Sequence, residues 1–187
     1  MSYIDRTGSL ELFPGLQTEL DSFNKRADRS GPLLDLGCGV GRDSEYLSAA
    51  ARTVIAADIS VEMLKITRAR CGVAVVEADM GHLPFSNDTF AGAWVCASLL
   101  HIPSCLMRGA LGELYRTVRP GGAVAISMKA GEGEGWYWGN SLSSPRWFTF
   151  VEPATFGAIL ADEGFTGVST IFSGRGDWYV AEATKPT

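Results

Sequence analysis

Short apolar runs that end at or beside a carboxylate recur through the first half of the chain, with helically spaced segments between them. "GPLLDLG", after a Gly-Pro break, is followed by "RTVIAAD" and "GVAVVEAD". Between the last two, "SVEMLKITRARCG" opens on a Ser suited to N-capping. It carries Glu62 in its first turn, sets Met63, Ile66 and Ala69 on one face, and stops at Gly72. The same grammar continues with "FAGAWVCA", a helix expected from about Ser104 to Val118 and closed by "RPGG", and the strand "AVAISMK". Strands separated by single helices pair in parallel through right-handed crossovers, which gives an α/β sheet with helices on both faces. In such sheets ligands bind at the carboxyl ends of the strands, where the winding reverses. Asp35, Asp58 and Asp79 all fall at or next to that edge.

The flanks extend this plan. Leu16, Leu20, Phe23 and Ala27 have the spacing of one helical face and predict an amphipathic helix ahead of the first strand. After Lys129, "AGEGEGWYWGNSLSSPRWFTF" is glycine-rich, then aromatic-rich, and reads as a long loop over the crevice. A last helix is expected from Pro153, with Phe156, Ile159 and Leu160 inward and Gly164 as its cap. The strands "FTGVSTIF" and "DWYVAEAT" then follow as antiparallel neighbours across "SGRG". The 187 residues read as one domain, with 1–30 as an N-terminal helical or lid segment and 130–150 as a cap over substrate.

Composition narrows the function classes. No stretch has the length and apolarity of a membrane span, and the N-terminus lacks a signal-length apolar run, so a cytoplasmic protein is expected. Cys38, Cys71, Cys96 and Cys105 form no CxxC pair, which suggests neither a metal site nor a disulfide framework. A net charge of -5 with dispersed arginines argues against nucleic acid as a partner and leaves a small-molecule substrate.

"LLDLGCGVGRDS" brings backbone close to a ligand. A phosphate-binding P-loop requires a Lys-Ser/Thr pair that is missing here, which leaves nucleoside triphosphate hydrolysis unsupported. In a dinucleotide site the third glycine would stand where Arg42 does. Asp58 lies at a distance suited to ribose hydroxyls, so a nicotinamide cofactor stays as the weaker reading. Asp35, two residues before the first glycine, suits a cationic ligand better than a pyrophosphate. Asp79 can accept from an exocyclic base amine. An adenosine bearing a positive sulfonium and an amino-acid tail meets all three demands.

"LLDLGCGVGRDS", "VIAADIS..ML", "VVEADMGHLPFSNDTFAGAWVCASLLHIP" and "ELYRTVRPGGAVAISMK" resemble the ordered motifs of the class I S-adenosylmethionine-dependent methyltransferases, in their small type 11 branch. The resemblance runs from residue 31 through "RWFTF...FGAILADEGF" to the closing strands. It implies a Rossmann-like, doubly wound seven-stranded sheet, mostly parallel with the last strand antiparallel, and S-adenosyl-L-methionine as cofactor. Asp35, Gly37, Cys38 and Gly39 would then line the methionine end, and Asp58 would bind the ribose. Ile59 and Met80 would sandwich adenine beside Asp79, Cys96 and Ala97 would flank the amino-acid moiety, and Arg42 could approach its carboxylate. Each has a plainer reading: strand-end aspartates cap loops, Cys38 and Cys96 are small core residues, and Arg42 is a solvated first-turn residue.

Methyl transfer needs alignment and, for a weakly acidic acceptor, a base. His101, in "SLLHIP" past the fourth strand, is the candidate base, the alternative being that it only shapes the site; His82 reads as structural. Trp136, Tyr137, Trp138 and Trp147 are the candidate substrate-binding residues, with anchoring of the loop as the plainer alternative. The expected activity is methyl transfer to oxygen or nitrogen of a small metabolite, with an aromatic one as an option. The alternative is a relative that binds the cofactor without methylating, such as a cyclase or an accessory subunit. One departure stands out: Ala91 occupies a position that is often Asp in this branch.

Overall fold

The computed structural model describes residues 3–50, 52–138 and 144–187. In chain order the elements are α1 (Tyr3–Thr7), a 3-10 turn (Leu10–Leu12), α2 (Leu16–Arg26), β1 (Leu33–Leu36), α3 (Arg42–Ala49), β2 (Val54–Asp58), α4 (Val61–Cys71) and β3 (Ala74–Glu77). There follow β4 (Phe90–Cys96), a second 3-10 turn (Leu99–His101), α5 (Ser104–Thr117), β5 (Val118–Lys129), β6 (Glu134–Tyr137), β7 (Arg146–Thr149), α6 (Pro153–Asp162), β8 (Thr166–Phe172) and β9 (Trp178–Thr184).

Seven strands form one sheet in the order β3-β2-β1-β4-β5-β9-β8. β1 pairs in parallel with β2 and β4, and the chain's last strand, β9, runs antiparallel to both β5 and β8. This is the expected Rossmann-like fold, and its winding reverses between β1 and β4.

Both faces of the sheet are covered because its central strands alternate their buried residues between two clusters. Leu34, Leu36, Val124 and Ile126 meet Leu111 and Leu114 of α5 and Phe156 and Leu160 of α6. Leu33, Trp94, Ala123 and Ala125 meet Leu16, Leu20 and Phe23 of α2 and Leu47 of α3. That double burial explains why β1 and β4 carry unbroken apolar runs with little period-2 contrast. The α2 register follows the predicted stripe, with Leu16, Leu20, Phe23 and the capping Ala27 all buried.

Several local expectations are corrected. The inward residues of α4 are Leu64 and Thr67, and Ala69 is exposed. β5 starts at Val118, so "RPGG" lies within the strand, beside an irregularity between Phe90 and Gly92 of β4. The segment after Lys129 is more than a loop, because β6 and β7 pair antiparallel, with Trp136 opposite Trp147. Residues 139–143 of that segment lie outside the described residues. Among the described residues no helix is long and apolar enough to cross a membrane.

Leu20 is completely buried beneath the sheet. Leu20→Ala is expected to lower unfolding free energy by about 2–5 kcal/mol, measured as a shift of the urea midpoint at unchanged slope.

Candidate active site

The glycine loop leaves β1 at the crevice and is fixed from the neighbouring strand. The amides of Gly37 and Cys38 both donate to the Ala57 carbonyl, at 2.7 and 3.1 Å. The amide of Gly39 donates to Asp58 Oδ2 at 2.9 Å. Gly37 has φ +77, and a Cβ there would come within 2.2 Å of Ser98 Cβ, so packing as well as conformation requires glycine. Gly39, at φ +54, differs: a Cβ would meet no protein atom within 4 Å, and the residue borders both cavities described below. The loop leaves open space at that point.

Beneath the loop lies a buried polar network. Asp43 receives Arg42 in a bidentate pair, at 2.6 and 2.9 Å, and the Trp94 indole N–H at 2.9 Å. Asp35 is 1% exposed and accepts from Ser44 Oγ at 2.5 Å. Burial, with the charge of Asp43, pushes the Asp35 carboxyl up to about 7. Asp35 borders neither cavity. Its strand is an inner one, flanked by β2 and β4, and its side chain is enclosed under the loop.

A cavity of about 520 Å³ opens at the carboxyl ends of β1, β2 and β4. It brings together Gly37, Gly39, Asp58, Ile59, Asp79, Met80 and Ala97, seven of the sequence-predicted cofactor residues. Asp58 Oδ1 accepts from the Ser60 amide at 2.9 Å, which orients the carboxylate. Asp79 Oδ1 accepts from the Gly81 amide at 2.8 Å, and its Oδ2 has no hydrogen-bond partner among the described residues. Ile59 is 70% exposed at the cavity edge, a large apolar side chain left for a ligand to cover.

A second cavity, of about 460 Å³, shares Gly37, Gly39, Ala97, His101 and Arg146 with the first. Cys38, Arg42 and Cys96 border this one alone. Burial raises both thiols, as expected of inert core cysteines. Arg42 is committed to Asp43, reaches the Thr7 carbonyl at 3.3 Å, and lies 4.6 Å over the Phe13 ring.

His101 stands on the shared wall. Its Nδ1 lies 2.7 Å from the Trp147 carbonyl, and its ring meets Phe148 edge-on at 4.7 Å. A carbonyl only accepts, so the imidazole donates from Nδ1 and keeps the Nε2 lone pair. Burial holds the His101 pKa below its ordinary value, the Trp147 contact opposes this, and the charge of Arg146 adds to the lowering. The β6–β7 hairpin is clamped to the same segment. Glu134 accepts from the Ser104 amide at 2.6 Å, at the start of α5, and Thr149 Oγ1 donates to the Ile102 carbonyl at 2.7 Å.

Of the aromatic candidates, Trp136 and Trp147 border the first cavity, with their rings edge-to-face at 5.8 Å. Tyr137 and Trp138 border neither cavity. Strand alternation turns Tyr137 onto Phe148 and Phe150, whereas Trp138 is 72% exposed. His82 bridges to Asp79 through backbone. Ala91 is fully buried near the start of β4, at the end remote from the crevice. Sequence reasoning missed Ser98, whose Oγ donates to the Leu36 carbonyl at 2.8 Å, and also Arg146 and Arg175. For the two arginines the only signal was a charge within a turn or a loop.

The family described as "Methyltransferase domain" matches residues 33–122. Malonyl-[acyl-carrier protein] O-methyltransferase of Pectobacterium atrosepticum is 39% identical over 100 residues, covering 52% of this chain and 38% of that protein. The enzyme of the same name from Pseudescherichia vulneris is 33% identical over 162 residues, covering 83% of this chain and 59% of that one. The chain thus spans less than two thirds of the length of these curated relatives. In structure it resembles the Burkholderia thailandensis 1,6-didemethyltoxoflavin-N1-methyltransferase, solved with 1,6-didemethyltoxoflavin and S-adenosylhomocysteine. The TM-score is 0.75 at 20% identity, over 92% of this chain and 79% of that one.

With only two histidines in the chain, a proton NMR titration should show one imidazole with a midpoint below 6.5, and His101→Gln should delete that signal. A raised carboxyl pKa stabilises the fold fully below the unfolded value and loses that contribution as pH rises through the folded one. Between about pH 4 and 8, wild type should therefore lose stability relative to Asp35→Asn, measured by urea unfolding at each pH.

Proposed function

The chain belongs to the class I S-adenosylmethionine-dependent methyltransferases, and from that premise we propose that it methylates an oxygen or nitrogen of a small, aromatic metabolite. The observation that carries this reading is the pairing of the two cavities across Gly37, Gly39, Ala97 and His101. One cavity has the groups for adenosine, and the other, bordered by Cys38, Arg42 and Cys96 at the methionine end, has room beyond them for an acceptor.

The residues present fit the cofactor. Asp58, already oriented by two amides, keeps lone pairs for ribose hydroxyls. Asp79 has Oδ2 available for the adenine amine, and the exposed Ile59 and half-buried Met80 offer apolar surface to the base. The space at Gly39 accommodates the chain that follows the ribose. S-adenosylmethionine supplies, when bound, a sulfonium methyl that passes to the acceptor as the carbon–sulfur bond breaks, its electron pair staying on sulfur in S-adenosylhomocysteine.

His101 Nε2, on the wall common to both cavities, takes the proton that the acceptor's hydroxyl or amine gives up. The Trp147 carbonyl fixes the tautomer that leaves Nε2 free, and burial keeps the ring neutral at physiological pH. Trp136 and Trp147 shield the junction from water on the hairpin side.

Incubation with S-adenosylmethionine and a panel of small hydroxy- and amino-aromatics should release S-adenosylhomocysteine with at least one member, and no release with any would contradict the reading. By calorimetry, Asp58→Ala should bind S-adenosylhomocysteine at least about tenfold more weakly while staying folded; unchanged affinity would remove Asp58 from the ribose role. His101→Gln should bind it within about twofold of wild type, with methyl transfer lowered by about 100-fold or more.

A further inference from the structure

Arg175 lies in the turn between β8 and β9, far from the glycine loop in sequence, and borders only the second cavity. Its side chain is 10% exposed and that of its partner, Glu19 on α2, is 9% exposed. Nη2 donates to both Glu19 oxygens, at 2.8 and 2.6 Å, and Nε donates to Ser173 Oγ at 3.1 Å. Nη1 has no hydrogen-bond partner among the described residues. A guanidinium this deeply buried, held rigidly by a carboxylate and a hydroxyl yet short of one partner, is a donor presented to whatever fills the cavity. The neighbouring guanidinium does not share this property, since Arg42 is spent on Asp43 and Thr7.

The remaining walls set the body of the ligand. Phe13, Phe148 and Trp178 border the same cavity, and Arg175 lies 5.9 Å from the Trp178 ring centre. Among the described residues, the charged groups at this cavity are the guanidiniums Arg42, Arg146 and Arg175 and a single carboxylate, Asp43. Even beside Glu19, the remaining N–H of an ionised donor favours an anionic acceptor over a neutral one, and Arg175 lies outside the set of residues common to both cavities.

Resting on the cofactor assignment above, we infer that the methyl acceptor is an organic acid, its carboxylate docked on Arg175 Nη1 and its apolar or aromatic body packed against Phe13, Phe148 and Trp178. The acceptor's reacting hydroxyl or amine then faces His101, which borders the same cavity. Glu19 acts as a positioning residue, because it holds the guanidinium without touching the ligand.

The test compares 3-phenylpropanoate with 3-phenylpropanamide by saturation-transfer NMR titration of the full chain, with and without S-adenosylhomocysteine. The carboxylate should bind at least about fivefold tighter than the amide. Arg175→Gln alone strands the Glu19 carboxylate, so the variant is Glu19→Gln/Arg175→Gln, which should bind both probes equally and keep S-adenosylhomocysteine affinity within about twofold. Equal binding of the two probes by wild type overturns the inference without recourse to any variant. So does a folded double variant that keeps the carboxylate preference. A folded double variant that loses about tenfold in S-adenosylhomocysteine affinity overturns it too, since Arg175 would then serve the cofactor's own carboxylate. Failure of wild type to bind S-adenosylhomocysteine overturns the cofactor reading and with it the acceptor role, whereas cofactor binding without carboxylate preference overturns this inference alone.

Discussion

The last two residues of β2 hold the glycine loop in place. The Ala57 carbonyl receives the amides of Gly37 and Cys38, and the Asp58 carboxylate receives that of Gly39. These bonds exist because β1 and β2 run parallel in a register that sets Leu36 opposite Ala57. A slip of one residue would turn Asp58 to the other face of the sheet and release the loop. The carboxylate assigned to the ribose is therefore also the staple of the loop beside it, so cofactor affinity and loop geometry are coupled at one side chain. Everything proposed for the site starts from that coupling.

Two further supports converge on the same edge. Below the loop, Asp43 ties the start of α3 to Trp94 of β4, so the loop rests on two strands and a helix. Above it, the β6–β7 hairpin is joined to the segment carrying His101 through Glu134, Thr149 and the Trp147 carbonyl. α2 also reaches the site from behind: Arg26 pairs with Glu182 of β9 at 2.6 Å, and Glu19 pairs with Arg175 just ahead of that strand. The N-terminal helix is thereby locked to the antiparallel end of the sheet, and the second cavity opens where the two meet.

How much of this the sequence disclosed depends on whether the cause was local. The ends of α4 were legible because Ser60 and Gly72 cap it through their own backbone neighbours. Its inward face was not, because Thr67 points in to donate to the Gly39 carbonyl at 2.9 Å, and a count of apolar residues passes over a buried hydroxyl. The hairpin escaped notice because its strands are four residues each, too short to establish a period. Asp58, Ile59, Asp79 and Met80 were readable as strand-end residues and do meet at one cavity. The burial of Asp35 was not readable, because a position beside a loop does not reveal whether a side chain faces the opening or the interior. Arg175 was invisible for a different reason: its partner lies 156 residues away, and nothing in "SGRG" announces it.

Amide chemical shifts in a nitrogen-15-labelled sample titrated with S-adenosylhomocysteine locate the cofactor relative to the cavity between Asp58 and Asp79. The largest changes are expected on Gly37, Gly39, Asp58, Ile59, Asp79 and Met80, while the amides of β8 stay in place. Changes scattered over the surface, or centred on the outer strands with the glycine loop unmoved, would contradict that placement.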